Sequence, residues 1–142
     1  MTLKMNQAAL TEFMVSHFPQ VAEDFAVEDV KPGEITIRMH ISDRNLRPGG
    51  TVSGPSMFAL ADVSMYLAIL ALIGPEALAV TTNCSIDFMR KPRAGADLIG
   101  TARVLKLGKA LAVGDVLIHS DGMDPPVARA GLTYSIPPAK AA

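Results

Sequence analysis

The chain has 142 residues, 49% of them apolar and 19% charged, a balance that belongs to one folded domain with a single core rather than to a disordered polymer. With 13 basic and 14 acidic residues the formal net charge is −1, so no broad positive field exists to gather nucleic acid or an anionic membrane, and an anionic ligand has to be held by a local cluster. The lone Cys84 excludes an intrachain disulfide framework and a cysteine-built zinc site, and a reducing cytoplasm is the expected compartment.

Met1 to Phe18 has neither the uninterrupted apolar core nor the small-residue cleavage site of a signal peptide. From about Asn6 to Phe18, Ala9, Leu10, Phe13 and Met14 recur at the spacing of one face of a short helix, which Pro19 is expected to end. A loop at Pro32-Gly33 then leads into Glu34 to Ile41, which alternates strictly. Ile35, Ile37, Met39 and Ile41 are expected to face inward, with Glu34, Thr36, Arg38 and His40 outward, as in a half-buried strand. Asp43 to Gly54, with Asn45, Pro48, Gly49 and Gly50, reads as loop.

A long helix follows. Ser53 or Gly54 supplies its N-cap, Pro55 suits a first turn, and Gly74-Pro75 stops it after Ile73. About 18 residues at ~1.5 Å each make a rod of about 27 Å. Met57, Phe58, Leu60, Met65, Leu67 and Ile69 wrap most of its circumference, so the rod must be enclosed. Its charge-free run, Val63 to Ile73, is too short for a bilayer core of about 30 Å, which favours a buried helix over a membrane span. Within it stands a single carboxylate, Asp62. Burying that acid uncompensated is expensive, so it is either paired internally or chemically employed.

Four further segments read as strands: Ala77 to Phe88, Asp97 to Leu107, Ala110 to Ser120 and Val127 to Ile136. Their short separators predict antiparallel pairing. Pro137 to Ala142 reads as a polar tail. The economical α+β packing wraps a curved antiparallel sheet of about five strands around the long helix, with the N-terminal helix over an end or edge. One sheet leaves the far side of that helix uncovered, which predicts a homodimer.

This order of strand, Gly-rich loop, Asp-bearing apolar helix and four strands resembles the hotdog fold, a curved sheet of five to six strands around one helix. More specifically, it resembles the acyl-CoA thioesterases of the phenylacetic-acid-degradation (PaaI-like) type. In that family a His-Gly-Gly opens the helix and an Asp follows nine residues after the His; the matching residues are Ser53-Gly54-Pro55 and Asp62. Thr81 to Pro92 resembles the family's long strand and basic turn, and Ala94 to Leu98 and Leu107-Gly108-Lys109 match two further signposts. The likeness covers roughly residues 34–136 of a single domain spanning 1–142. Two positions depart from the pattern: the family's His is Ser53, and its upstream Asn falls on Arg47, with Asn45 close by.

Thioester hydrolysis needs an activated water and a stabilised carbonyl oxygen. The resemblance implies Asp62 as general base or nucleophile, the Gly54 backbone N–H as oxyanion donor, and Thr81 of the facing subunit as the group that positions water. The Gly54 assignment has its own physical reason, because the first N–H groups of a helix lack intrahelical partners and sit at its positive end. Pro55 has no N–H to add. Ser53 reads as an N-cap or as a hydroxyl near the thioester oxygen. By resemblance Arg90, Lys91 and Arg93, with Lys106 and Lys109 on the next hairpin, meet the phosphates of coenzyme A, with Asn45 and Arg47 beside the substrate; solvated hairpin tips account for the basic residues equally well. The scattered His17, His40 and His119 form no metal set, and no cofactor is implied.

The expected activity is thus hydrolysis of acyl-CoA to acid and CoA by a homo-oligomer, a dimer or dimer of dimers, without nucleic-acid or membrane partners. Met57, Phe58, Met65 and Tyr66 are core or line a pocket for a medium-length or aromatic acyl group. Two other readings stay open: an acyl-thioester binding protein that does not hydrolyse, and a hotdog dehydratase or hydratase. The last needs a His beside its acid, and none adjoins Asp62 in sequence.

Overall fold

Asn6 starts the first helix: its side chain accepts the Ala9 N–H, and α1 (Gln7–His17) then buries Leu10, Phe13 and Met14. In the computed structural model, which describes residues 1–138, α1 stops at His17 and Phe18 leaves helical geometry, as expected, just ahead of Pro19. Pro19 sits at the start of a further turn, α2 (Pro19–Ala22), where its missing N–H costs nothing.

The Pro32-Gly33 loop proves to be the turn of an antiparallel hairpin between β1 (Phe25–Lys31) and β2 (Glu34–Met39). β1 has no clean alternation because a bulge between Val27 and Asp29 brings Glu28 and Asp29 together. Ile35, Ile37 and Met39 are buried as their alternation required, while Ile41 lies past the strand end and is half-buried. On the outer face Arg38 reaches Glu28 at 2.8 Å, Asp121 at 2.8 Å and Asp97 at 3.2 Å, bracing this hairpin against the turns beyond it.

The Ser53 hydroxyl caps α3 (Gly54–Ile73), and Gly74 leaves it at φ 96, a conformation that suits glycine. By length and composition alone α3 is long and apolar enough to cross a membrane, yet 67% of its most apolar stretch is buried inside this fold. The enclosure comes from β3 (Val80–Phe88), β4 (Leu98–Leu107), β5 (Leu111–Ser120) and β6 (Ala128–Ser135), which join the hairpin in one curved six-stranded antiparallel sheet ordered β1-β2-β4-β5-β6-β3. Two glycines let α3 lie this close. A Cβ on Gly114 would overlap the Met65 Cε, and one on Gly100 would stand 2.7 Å from the Ser64 Oγ. Ser64 is fully buried there and its hydroxyl has no hydrogen-bond partner among the described residues.

The far side of α3 is not covered. Pro55, Phe58, Asp62 and Val63 share a stripe at helical spacing, and Phe58 is 40% exposed. At the sheet margin β3 pairs only with β6, with Val80 and Phe88 more than half exposed. The tail expected from Pro137 falls, from residue 139, outside the described residues.

Candidate active site

Asp62 projects from the third turn of α3 toward the junction of β3 and β6, where two residues paired across the strands receive it. Thr81 lies opposite Tyr134, next to a bulge between Thr81 and Asn83 that re-aims the strand. Thr81 Oγ1 donates to Asp62 Oδ1 at 2.5 Å, and the Tyr134 hydroxyl donates to the same oxygen at 2.6 Å. Tyr134 also lies 3.0 Å from the Asp62 carbonyl, but its single proton serves the closer, charged acceptor. The family resemblance implies a Thr81 that acts from a facing subunit; Thr81 reaches Asp62 within its own chain instead.

Tyr134 is only 2% exposed. Burial, then the adjacent Asp62 charge, pushes its phenol far above the ordinary tyrosine range, so it remains a hydrogen-bond donor at any working pH. Both donors address Oδ1. The other carboxylate oxygen, Oδ2, accepts no hydrogen bond among the described residues and is not sealed in. Asp62 lines a cavity of about 240 Å³ whose remaining walls are mostly apolar, including Met14, Phe18, Val63 and Ala79. Tyr66 anchors one wall, donating to the Ala77 carbonyl at 3.1 Å and packing 6.1 Å from the Tyr134 ring. Burial, then the Glu76 charge, pushes the Tyr66 phenol up to about 12.

Gly54 sits elsewhere. Its N–H donates to no backbone acceptor among the described residues, and it opens on a cleft of about 350 Å³ with Arg47, Met57, Phe88, Arg90 and Lys91. The Phe88 Cζ would stand 3.2 Å from a Cβ on Gly54, so only glycine leaves that approach clear. Asp62 lies eight steps along the helix from Gly54, a rise of about 12 Å.

Of the basic residues singled out in the sequence, Arg47, Arg90 and Lys91 gather at this cleft, where Arg90 also donates to the Pro126 carbonyl. The others lie apart. Arg93 turns its guanidinium toward Gly122, Lys106 is exposed on β4 beyond a bulge, and Lys109 stands with Ile73 and Glu76 at the opposite end of α3. Ser53 and Asn45 hold the helix start: Ser53 Oγ accepts the Ser56 N–H, and Asn45, buried, accepts from Ser42 N–H and donates to Ser56 Oγ. Among the described residues no His, Cys, Asp or Glu cluster suited to a metal is present. Tyr134 is the site residue that sequence reasoning missed. Its signal was available, since Tyr134 keeps phase with the buried Ala130 and Leu132, and an inward tyrosine needs a partner for its hydroxyl.

A curved six-stranded antiparallel sheet around one long helix defines a hotdog-fold protein, here with a hydroxyl-bound acid on that helix. The family model described as the thioesterase superfamily matches residues 49–126, more than half of the chain, and the chain belongs to that superfamily. A crystal structure from Silicibacter sp. TM1040, assigned as a thioesterase, is 58% identical with a TM-score of 0.91, covering 97% of this chain and 96% of that one. Phenylacetic acid degradation protein PaaI from Thermus thermophilus, in a mutant structure, is 28% identical with a TM-score of 0.72, over 84% of this chain and 99% of that one. Acyl-coenzyme A thioesterase 13 of Mus musculus is 26% identical over 118 residues, 82% of each chain.

Proposed function

We propose that this protein hydrolyses acyl-CoA thioesters, with Asp62 as the general base and the Gly54 N–H as the oxyanion donor. The observation that carries this reading is the convergence of Thr81 and Tyr134 on one oxygen of Asp62 at the rim of an apolar cavity. Two donors hold the carboxylate in one orientation and leave Oδ2 to take a proton from water. The resulting hydroxide adds to the thioester carbonyl carbon, the oxyanion is received by Gly54, and collapse breaks the C–S bond as the proton held by Asp62 passes to the departing sulfur, releasing acid and thiol and restoring the base. Arg47, Arg90 and Lys91, gathered at the Gly54 cleft, suit the phosphates of the coenzyme.

A carbonyl within hydrogen-bond reach of Gly54 cannot lie beside Asp62 of the same chain, because about 12 Å of helix rise intervenes. The working site is therefore composite: Asp62, Thr81 and Tyr134 of one chain face Gly54 of the partner subunit. The uncovered stripe through Phe58 and the unpaired edge of β3 support a dimer of this kind.

Thiol release from a panel of acyl-CoAs is the test. Asp62→Asn should keep its circular dichroism and lose about a thousandfold in kcat, since an amide cannot take the proton. Turnover retained by that variant, or tight acyl-CoA binding without thiol release by the native protein, would overturn the reading. For the composite site, refolding inactive Asp62→Asn together with inactive Gly54→Ala should restore about a quarter of native activity, because half of a random mixture is hybrid and each hybrid has one intact site.

A further inference from the structure

The cavity beside Asp62 is walled in part by residues that lie outside the stretch matching the superfamily, residues 49–126. Met14 of α1, Val21 of α2 and Phe18 between them line it together with Val63, Tyr66 and Ala79. This wall is anchored. The Phe18 ring meets Tyr66 edge-on at 5.6 Å, Phe13 lies 6.3 Å from Tyr66, and the N–H groups of Lys4 and Met5 both donate to the Ala71 carbonyl of α3. Asp62 itself is the sole charged side chain in the lining, so a second carboxylate carried by a ligand would be both desolvated and repelled.

We infer that α1 and α2 form the end wall of the acyl site and set its length, selecting a compact uncharged acyl group of about eight to ten carbons; this rests on the thioesterase reading above. Volume gives the number. An apolar cavity of about 150 Å³ takes one benzene ring, so about 240 Å³ takes about nine to ten carbons at the same fill, as an alkyl chain or as an aromatic ring with a short spacer. Each methylene that enters the cavity should raise kcat/KM by about fourfold until the end wall is met, and further ones must bend back or displace Phe18.

The experiment compares kcat/KM for acetyl-, pentanoyl-, octanoyl-, decanoyl-, palmitoyl-, phenylacetyl- and glutaryl-CoA. The expected profile peaks at octanoyl or decanoyl, with phenylacetyl in the same range, palmitoyl at least about tenfold lower, and glutaryl at least about tenfold below pentanoyl. Phe18→Ala should move the peak to longer chains and Val21→Phe should move it to shorter ones. Val21→Phe adds volume without removing a packed ring, so it carries the test if Phe18→Ala loses its fold. Palmitoyl-CoA equal to octanoyl-CoA, or a profile that stays fixed in a folded Val21→Phe protein, would overturn the end wall while leaving the thioesterase reading intact. Failure to release thiol from any ester would overturn both.

Discussion

Thr81 and Tyr134 face each other across β3 and β6, and both hydroxyls end on the same oxygen of Asp62, at 2.5 and 2.6 Å. One oxygen of the base is thereby fixed and the other is left for chemistry, a division of labour that two backbone elements enforce together.

Removing one donor should therefore loosen the base rather than the substrate. Tyr134→Phe is expected to lower kcat by about tenfold with KM within about twofold, and to cost about 1 kcal/mol of stability for the lost hydrogen bond. Thr81→Val should act in the same direction, and the double variant should lose more than the product of the two, because Asp62 Oδ1 then has neither donor. Steady-state kinetics beside urea unfolding separates the two effects. A rise in KM alone would contradict a positioning role.

Gly54→Ala places a methyl 3.2 Å from the tip of the exposed Phe88 ring, a neighbour free to give way. The fold should lose no more than about 1 kcal/mol, whereas crowding the oxyanion donor should lower kcat by about 100-fold or more. Adding Phe88→Ala should recover the stability and not the rate. Rate recovery in the double variant would mean that the ring clash, and not access to the N–H, caused the loss.

Gly114 and Gly131 offer a paired test of how the helix seats. A Cβ on Gly114 would overlap both the Met65 Cε and the Arg103 carbonyl oxygen, while one on Gly131 meets nothing within 4 Å. Gly114→Ala should cost about 3 kcal/mol or more, since backbone must move. Gly131→Ala should fall within about 0.5 kcal/mol of native. Denaturant midpoints measure both.

Ser64→Ala should stabilise the protein by about 1 kcal/mol. The serine hydroxyl is fully buried without a partner among the described residues, so its removal ends a desolvation cost and adds a better helix former. A lower thermal midpoint for the alanine variant would show that the hydroxyl is satisfied in solution.

The chain has 2 tyrosines and no tryptophan, so an absorbance titration reads Tyr66 and Tyr134 alone. Burial, then Glu76, raises Tyr66 from 10.0 to about 12, and burial with the Asp62 charge raises Tyr134 further. Both folded values exceed the unfolded ones, so this stability is complete below about pH 10 and is lost as pH rises through the folded values. Phenolate absorbance should stay flat near pH 10 and appear together with unfolding above it. A reversible phenolate step near pH 10 in folded protein would contradict the buried positions.

The helix α3, its cap at Ser53, its stop at Gly74 and the four following strands were legible because periodicity and punctuation are local signals. β1 was not, since its bulge puts Glu28 beside Asp29 and spoils the alternation. Asp62 was legible as a lone acid in an apolar run. The roles of its neighbours were not: Tyr134 lies 72 residues away and meets Asp62 only once the β3–β6 register is known, and the bulge that aims Thr81 leaves no mark in a Thr-Thr pair. Arg90 and Lys109 have equal standing in sequence, yet they lie toward opposite ends of α3, a separation that only the turn geometry decides.

β3 is bonded along one flank only, and it carries Thr81. The base thus takes one of its two anchors from an edge strand of the sheet, while Tyr134 belongs to a strand held on both sides. Amide protons of β3 should exchange with solvent sooner than those of β4 or β5. A second copy docked along that margin would slow them, so catalytic competence should rise as the breathing of that border strand falls.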